Sequence, residues 1–251
     1  MEYPFTKIEH CIYKNTFLQN TLLNFHFDNI LKDRKEDDIK KDFRKFVEKR
    51  FGLNIDDSKE QSLSLGIRIV SSDQSTMLTF QSDRCLIRVG REQYKSFEQS
   101  ILPLIDVVKD YITNVAKKQI LESFSIRKIN VWPIQTFKDV TLADILLKKI
   151  FSSELLSDDS FNAQLPENRG VTNWQKEKQF CIDDAILKLK YGFNCKDDRN
   201  ILIILDTVIE TTTSSELDKI NFTHYDEIMF DSYHWAVNSD IVNLMQKDLN
   251  D

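Results

Sequence analysis

The sequence has 251 residues and is poor in glycine and proline, with five and four residues respectively. A glycine-rich phosphate-binding loop, a collagen-like repeat and a long flexible linker each need more of one or both, so these are excluded. No run of about 18 apolar residues occurs, and we therefore expect no membrane-spanning helix and no membrane partner. The N-terminus lacks the basic segment and apolar run of a secretory signal. These absences predict a cytoplasmic protein.

Cysteine and histidine are equally scarce, at four residues each. The cysteines are Cys11, Cys85, Cys181 and Cys195, and no two have the C-x-x-C spacing of a zinc knuckle or a thioredoxin-type redox site. We expect them to be free thiols in a reducing compartment. Because there is also no G-x-S-x-G motif and there are few histidines to act as bases, nucleophilic catalysis has little support. The sequence predicts no metal and no cofactor.

The residues that are present suit an ordinary globular protein. The chain is 41% hydrophobic and 29% charged, which is enough apolar material to bury a full core. Its formal charge of −6 argues against a protein whose main function is to bind nucleic acid through the phosphate backbone, although an acidic protein can still carry a local basic patch.

The patterns in residues 1–135 predict the order β-α-β-β-β-α-β, a ferredoxin-like arrangement with one added strand. Gly52 directly follows the last apolar position of the first helix and is placed as its C-cap. Pro103 lies inside the second helical pattern, so this helix is expected to kink or to begin near Ser100. The predicted elements are strand 17–27, helix 39–51, strands 63–70, 76–81 and 84–89, helix 97–116 and strand 124–132.

The patterns in residues 136–251 predict the order α-β-β-β-α. Strand 201–209 is apolar on both faces and is therefore expected to be central in its sheet. The predicted elements are a helix from Thr141, strands 171–182, 185–193 and 200–209, a helix from Glu216 to Trp235, and a short tail piece. The predicted fold is α+β, with two antiparallel sheet-and-helix halves that divide near residue 135.

Glu227, Asp231 and His234 recur at i, i+4 and i+7 in the last predicted helix, and this spacing places them on one stripe, here called the polar stripe. Two carboxylates and an imidazole can ligate a metal or share a proton in acid–base catalysis. Asp206, at the end of the central strand, is positioned to complete such a site, with His224 and Asp226 nearby in sequence. A charged stripe equally serves capping, solvation or a partner interface, and metal-binding helices more often carry paired histidines. The polar stripe is a candidate site with no catalytic residue assigned.

Four arginines are candidate contacts to nucleic acid. Arg84 and Arg88 share one face of a predicted strand, Arg91 follows that strand, and Arg127 lies in the strand that closes residues 1–135. A sheet face that carries arginines resembles the RNA-reading face of ferredoxin-like modules. The aromatic motif of those modules is absent, and the arginines equally fit an exposed face paired with acidic residues.

The order of elements resembles a bacterial family of uncharacterised proteins of similar length and scattered distribution. The likeness covers nearly the whole chain and lies in four places: Pro4 with strand 17–27, the strand segment 126–130, the apolar strand 201–206, and a C-terminal helix closing in His234 with a short tail. The resemblance implies a fold and no catalytic residues, and the scattered occurrence implies mobile or defence-related genes. Trp132 and Pro133, directly after segment 126–130, depart from the family pattern.

The sequence therefore predicts a non-enzymatic protein-interaction module that binds another protein in a bacterial defence or toxin–antitoxin context. Tyr233 and Trp235, beside the polar stripe, favour partner contacts if they are exposed, and they equally fit a core. The alternative is a nucleic-acid-binding or metal-dependent nucleic-acid-processing protein that uses the polar stripe and the arginines together. Self-association is compatible with either prediction.

Overall fold

A computed structural model describes residues 4–13, 16–52, 66–71, 73–133, 149–157, 173–195 and 201–246 of the chain. Helices and antiparallel strand pairs occur together, which confirms the α+β class. The strands are β1 (Leu18–His26), β2 (Gly66–Val70), β3 (Thr76–Gln81), β4 (Arg84–Gly90), β5 (Ile120–Leu121), β6 (Ser123–Pro133), β7 (Asn173–Ile182), β8 (Ala185–Cys195), β9 (Ile201–Thr211) and β10 (Ser215–Glu216). The helices are α1 (Glu36–Phe51), α2 (Phe97–Ser100), α3 (Leu102–Asn114), α4 (Phe222–Ala236) and α5 (Ser239–Gln246), with 3-10 turns at Ile30–Lys32 and Leu217–Lys219.

Eight strands form one sheet in the order β2-β3-β4-β1-β6-β9-β8-β7, and β10 pairs with β5 separately. The pairs β2–β3, β3–β4 and β7–β8 are antiparallel. β9 has a neighbour on each side, as its apolar sequence predicts. The sequence predicted one sheet in each half of the chain, whereas strands from both halves share this sheet because β6 and β9 are neighbours. The ferredoxin-like layout of residues 1–135 stays a prediction.

The chain contains two compact units, and each is built from segments that are distant in sequence. The first unit comprises Met1–Asn20, Arg127–Ile209 and His224–Asp251, and the second comprises Thr21–Ile126 and Glu210–Thr223. The boundary that the sequence predicted near residue 135 falls outside the described residues. So does most of the helix predicted from Thr141.

The core of the second unit contains an aromatic cluster between α1, α3 and β3. Phe43 and Phe46 of α1 lie one turn apart and are buried, and both contact Phe80 and Tyr111. The ring centroids of Phe80 and Tyr111 are 4.8 Å apart. Burial raises the pKa of the Tyr111 hydroxyl far above its ordinary range. Gly52 ends α1 in the left-handed conformation at φ +65°, as the C-cap prediction required.

The core of the first unit is organised around Trp132, which is fully buried. Its ring stacks on Tyr233 of α4, with centroids 6.5 Å apart, and meets Phe151 edge to face at 6.1 Å. Phe151 in turn contacts Tyr191 of β8 at 5.6 Å. Large aromatic side chains of this kind supply much of the apolar area that a core buries. α4 is therefore packed on the face of β6 that carries Trp132.

The helical pattern at 97–116 is interrupted in the structure, and Ile101 separates α2 from α3. Pro103 lies in the first turn of α3, where its missing N–H costs no intrahelical hydrogen bond. Ser96 caps α2 by accepting a hydrogen bond from the backbone N–H of Gln99. The proline therefore starts a helix instead of kinking one.

The last long helix begins at Phe222, six residues later than the sequence predicted. Ser215 and Glu216 pair with β5 instead, and a 3-10 turn follows them. No helix in the described part of the chain has both the length and the apolar content needed to cross a membrane.

Candidate functional site

The polar stripe lies on α4 as the spacing predicted, but its three side chains have different surroundings. Glu227 is exposed, Asp231 is buried with 6% of its surface accessible, and His234 is half-buried. The two inner residues contact the N-terminal segment 4–13, which runs along α4 without regular secondary structure. Glu227 takes no part in these contacts, so the structure does not bring the three residues into one site.

His234 is joined to the N-terminal segment through Tyr13, whose hydroxyl is 2.5 Å from Nε2 of the imidazole. Phe230 lies beside both rings, at 4.6 Å from His234 and 6.1 Å from Tyr13. Burial lowers the pKa of His234, while nearby Asp231 opposes that shift and His10 adds to it. Burial, reinforced by Cys11, raises the pKa of Tyr13 well above its usual range. At neutral pH the pair is a neutral imidazole and a neutral phenol.

Asp231 holds the same segment by a backbone contact. Its Oδ1 accepts a hydrogen bond of 2.9 Å from the N–H of Ile8. One turn earlier, Asp226 lies 3.6 Å from Nε2 of His10. Asp231 and His234 of the polar stripe, together with Asp226, thus fix Ile8, Tyr13 and His10 in position, which is a structural role.

Asp226 is the most buried charged residue of the site, with no accessible surface. The ammonium nitrogen of Lys128, in β6, is 2.5 Å from its Oδ1. Within the described residues neither oxygen of Asp226 makes a well-directed hydrogen bond, so the contact acts through charge more than through hydrogen-bond geometry. The sequence indicated Asp226 only as a neighbour of Asp206 in the candidate site, although Asp226 occupies a core position in the helical pattern. A carboxylate among apolar positions indicates a buried partner.

Asp206, the proposed fourth member of the site, forms an ion pair with Arg127 instead of joining the polar stripe. Both of its oxygens accept hydrogen bonds from the Arg127 guanidinium, at 2.7 Å each. This bidentate contact raises the pKa of Arg127. Because successive residues of a strand point to opposite faces, Arg127 lies on the face of β6 opposite Lys128, and Asp206 is separated from α4 by the sheet. A candidate member of the polar site and a candidate nucleic-acid contact therefore form one ion pair.

Arg84, Arg88 and Arg91 belong to the second compact unit, and all three are exposed. Both nitrogens of one side of the Arg84 guanidinium contact the Asp83 carboxylate at 3.0 Å. The register of β2, β3 and β4 places Arg68 on the same face as Arg84 and Arg88. The predicted arginine-bearing face therefore exists.

Three aromatic residues were considered as possible base-stacking partners for these arginines, and two of them are buried. Phe80 and Trp132 are buried at 2% and 0% exposure, and Tyr94 is half-buried. Phe80 points to the opposite side of β3 from Arg68, because it pairs with Cys85 while Arg68 pairs with Thr79. Stacking of bases on aromatic rings is the main source of single-strand binding in such modules, and neither Phe80 nor Trp132 can supply it.

Among the residues that the structure describes, no three or more His, Cys, Asp or Glu side chains come together in a way that could hold a metal ion. Of the cysteines, Cys85 is buried, whereas Cys11 and Cys181 are exposed and free. Burial raises the pKa of the Cys85 thiol, which keeps it protonated.

A groove in the first unit adjoins the polar stripe, and we call it the Trp235 groove. Its first part, of about 830 Å³, lies between Ile8, His234, the turn at Ser152–Glu154 and Val242 of α5. Its second part, of about 550 Å³, is lined by Lys178 and Phe180 of β7 together with the same turn. Trp235 lines both parts.

Trp235 is half-buried, and its indole ring is held by aromatic neighbours. Phe5 and Phe180 meet it edge to face, with centroids 5.6 and 5.5 Å away. The ammonium of Lys178 lies 5.7 Å from the ring centroid, and also donates to the backbone oxygen of Glu154. Tyr233, which sequence reasoning paired with Trp235, is instead a core residue whose hydroxyl contacts the Met245 sulfur at 3.1 Å.

Comparison with known proteins found no matching family model, no matching curated protein and no matching solved structure. The geometry of the site is therefore the basis for assigning a function.

Proposed function

We propose that this chain is a non-enzymatic, cytoplasmic protein-interaction module that binds a partner protein in the Trp235 groove. The observation that carries the proposal is the half-buried indole of Trp235, which lines both parts of the groove while Phe5 and Phe180 fix its orientation. Tryptophan is strongly enriched among the residues that dominate binding energy at protein interfaces. A ring already held in place loses little side-chain entropy on binding.

The lining of the groove suits a polypeptide better than a small charged substrate. Apolar surface from Ile8 and Val242 lies beside the Ser152 hydroxyl and the Asn243 amide, and Glu154 and Lys178 contribute charges of opposite sign. An apolar centre with a mixed polar rim is the usual composition of a protein interface.

The polar stripe supports the same proposal because its buried members already have structural partners. Asp231 and His234 bind Ile8 and Tyr13 of the chain itself, which leaves neither poised to act on a substrate. A general base must lie within hydrogen-bond reach of the proton that it removes, whereas the side chains of Asp231 and His234 contact the N-terminal segment instead. The bacterial defence setting implied by the resemblance remains part of the proposal.

The test is quantitative capture from the native host with three forms of the protein. The parent chain and a Leu244→Ala control, which changes an exposed apolar residue of α5 away from the groove lining, should retain the same protein in stoichiometric amount. A Trp235→Ala variant should lose at least about 2 kcal/mol of binding energy, or roughly 30-fold in affinity. Val242→Gln provides a second disruption of the groove if Trp235→Ala lowers the melting temperature. Equal capture by all forms would refute the proposal.

A second function is favoured by one observation, the common face of Arg68, Arg84 and Arg88. A partner with regularly spaced phosphates would match such a face, so the alternative is nucleic-acid binding. The same eluate distinguishes the two. RNA or DNA that is retained by the parent and lost from an Arg84→Glu/Arg88→Glu variant would replace the first proposal with this one.

A further inference from the structure

β7 is the last strand of the sheet within the described ranges, and β8 is its one hydrogen-bonded neighbour there. All ten residues of Asn173–Ile182 are in antiparallel register with β8. In such a pair, alternate residues direct their N–H and C=O groups away from the partner, so about five residues of β7 present donors and acceptors at the outer edge. An edge of this kind is a template for an additional extended chain.

The side chains of β7 divide between the two faces in a way that selects a partner. Lys176, Lys178 and Phe180 lie on one face, and Glu177 lies on the other, where it is opposite Lys190 with a charged contact of 3.3 Å. The first face therefore presents two cations and then an aromatic ring along the strand. Lys178 and Phe180 are also walls of the second part of the Trp235 groove.

A second copy of this chain is a poor occupant of the edge in the registers centred on its charged residues. Antiparallel pairing of β7 with its own copy about Glu177 sets Glu177 against Glu177 and Lys176 against Lys178. A shift of the centre to either lysine sets that lysine against itself. Like charges directly opposite each other destabilise a strand pair, so self-addition is disfavoured in the three registers centred on residues 176 to 178.

We propose that β7 binds an extended segment of the partner protein as an added antiparallel strand. Carboxylates of the segment lie opposite Lys178 and Lys176, and an aromatic or large aliphatic side chain opposite Phe180 enters the groove beside Trp235. Lys178 keeps its contact to the Glu154 backbone, because an ammonium has three donors. The inference rests on the proposed function, since it specifies how that partner is held.

The probe is an acetylated, fluorescein-labelled peptide, Thr-Phe-Thr-Glu-Thr-Glu-Thr, titrated against the full chain and followed by anisotropy. We expect saturable binding, with a peptide carrying Lys in place of both Glu weaker by on the order of tenfold. Lys178→Glu should reverse that preference. Lys188→Glu is the matched control, because Lys188 belongs to β8 and lies opposite Gln179 on the other face.

Residue-resolved amide hydrogen exchange over 173–182 locates the bound peptide. Strand addition should slow exchange at every second amide of β7, whereas the intervening amides, already bonded to β8, should change little. If Lys178→Glu fails to fold, the two peptides and the exchange pattern together still decide the proposal.

Two results would overturn strand addition. One is the absence of an anisotropy change up to about 1 mM chain, the weak end of specific recognition. The other is peptide binding that leaves the β7 amides unchanged. Neither would touch the proposed function, which depends on whether Trp235→Ala loses the captured protein.

Discussion

Replacing Lys128 with methionine keeps a long unbranched side chain in β6 and removes the positive charge beside Asp226. The Asp226 side chain is 1% exposed and that of Lys128 14% exposed, so little water can screen the carboxylate once its partner is gone. Breaking a buried ion pair in this way costs about 3–5 kcal/mol. For a chain of this length, that corresponds to a fall in melting temperature on the order of 10 °C.

The pairing is distinguished from general damage by a double variant, Lys128→Met with Asp226→Leu. Removing both charges leaves apolar groups of similar reach, and such replacements are often neutral or stabilising, so most of the loss should be recovered. Lys219→Met is the matched control. Lys219 contacts Glu216 at 2.8 Å, but both side chains are more than half exposed, and such surface pairs contribute little.

The assay is urea unfolding followed by circular dichroism and by tryptophan fluorescence. The two transitions must coincide before a free energy of unfolding is calculated, because a chain with two compact units need not unfold in one step. A loss below about 1 kcal/mol for Lys128→Met would refute the reasoning. So would a double variant as unstable as the sum of the two single variants.

Three further predictions concern other contacts. Burial lowers the pKa of His234, so as the pH falls below about 6.5 the unfolded chain binds a proton at this residue before the folded chain does. The free energy of unfolding should therefore decrease between about pH 6.5 and the pKa of His234 in the folded chain. Urea midpoints measured at several pH values should show a smaller decrease for His234→Gln. Gly52→Ala should cost about 1 kcal/mol in calorimetry, since φ is +65° at that residue, and Gly52→Asn should cost less. Asp231→Ala removes the acceptor of the Ile8 amide, whose hydrogen exchange should accelerate.

Each of these predictions has an outcome that would contradict it. If the urea midpoints of His234→Gln depend on pH as those of the parent do, then other titratable groups cause the loss of stability at acidic pH. An unchanged melting temperature for Gly52→Ala would mean that the end of α1 adjusts without strain. Unaltered exchange at Ile8 would show that the N-terminal segment is held without Asp231.

Local structure was predictable wherever the sequence has a clear period. Leu187 and Leu189 alternate with Lys188 and Lys190, and β8 indeed buries the leucines while leaving the lysines half-exposed. Gly52 marked the end of α1 because few other residues adopt its backbone conformation without strain. Strand neighbours were not predictable in this way. An apolar strand such as β9 requires a partner on each side, but its pattern does not say that β6 is one of them.

The same limit applies to the candidate site. The spacing i, i+4, i+7 correctly placed the polar stripe on one helix. It did not predict that the N-terminal segment 4–13 would contact two of the three side chains. Tyr13 and Ile8 lie in irregular backbone, and their contacts to His234 and Asp231 bridge more than 220 positions of sequence. The Arg127–Asp206 pair likewise depends on two strands being adjacent. Only the buried carboxylate Asp226 had a readable local signal.

The position of β9 between β6 and β8 has a consequence for biosynthesis. β6 ends at Pro133 and β9 begins at Ile201, so the ribosome adds roughly 70 residues, over about 4–14 s, before β6 can acquire that neighbour. During this interval the nascent chain exposes an eleven-residue strand edge, and exposed edges recruit other chains. A message truncated before the codon for Ile201 would therefore yield an aggregation-prone product, and slow synthesis between these strands would prolong the time in which chaperones bind the nascent chain.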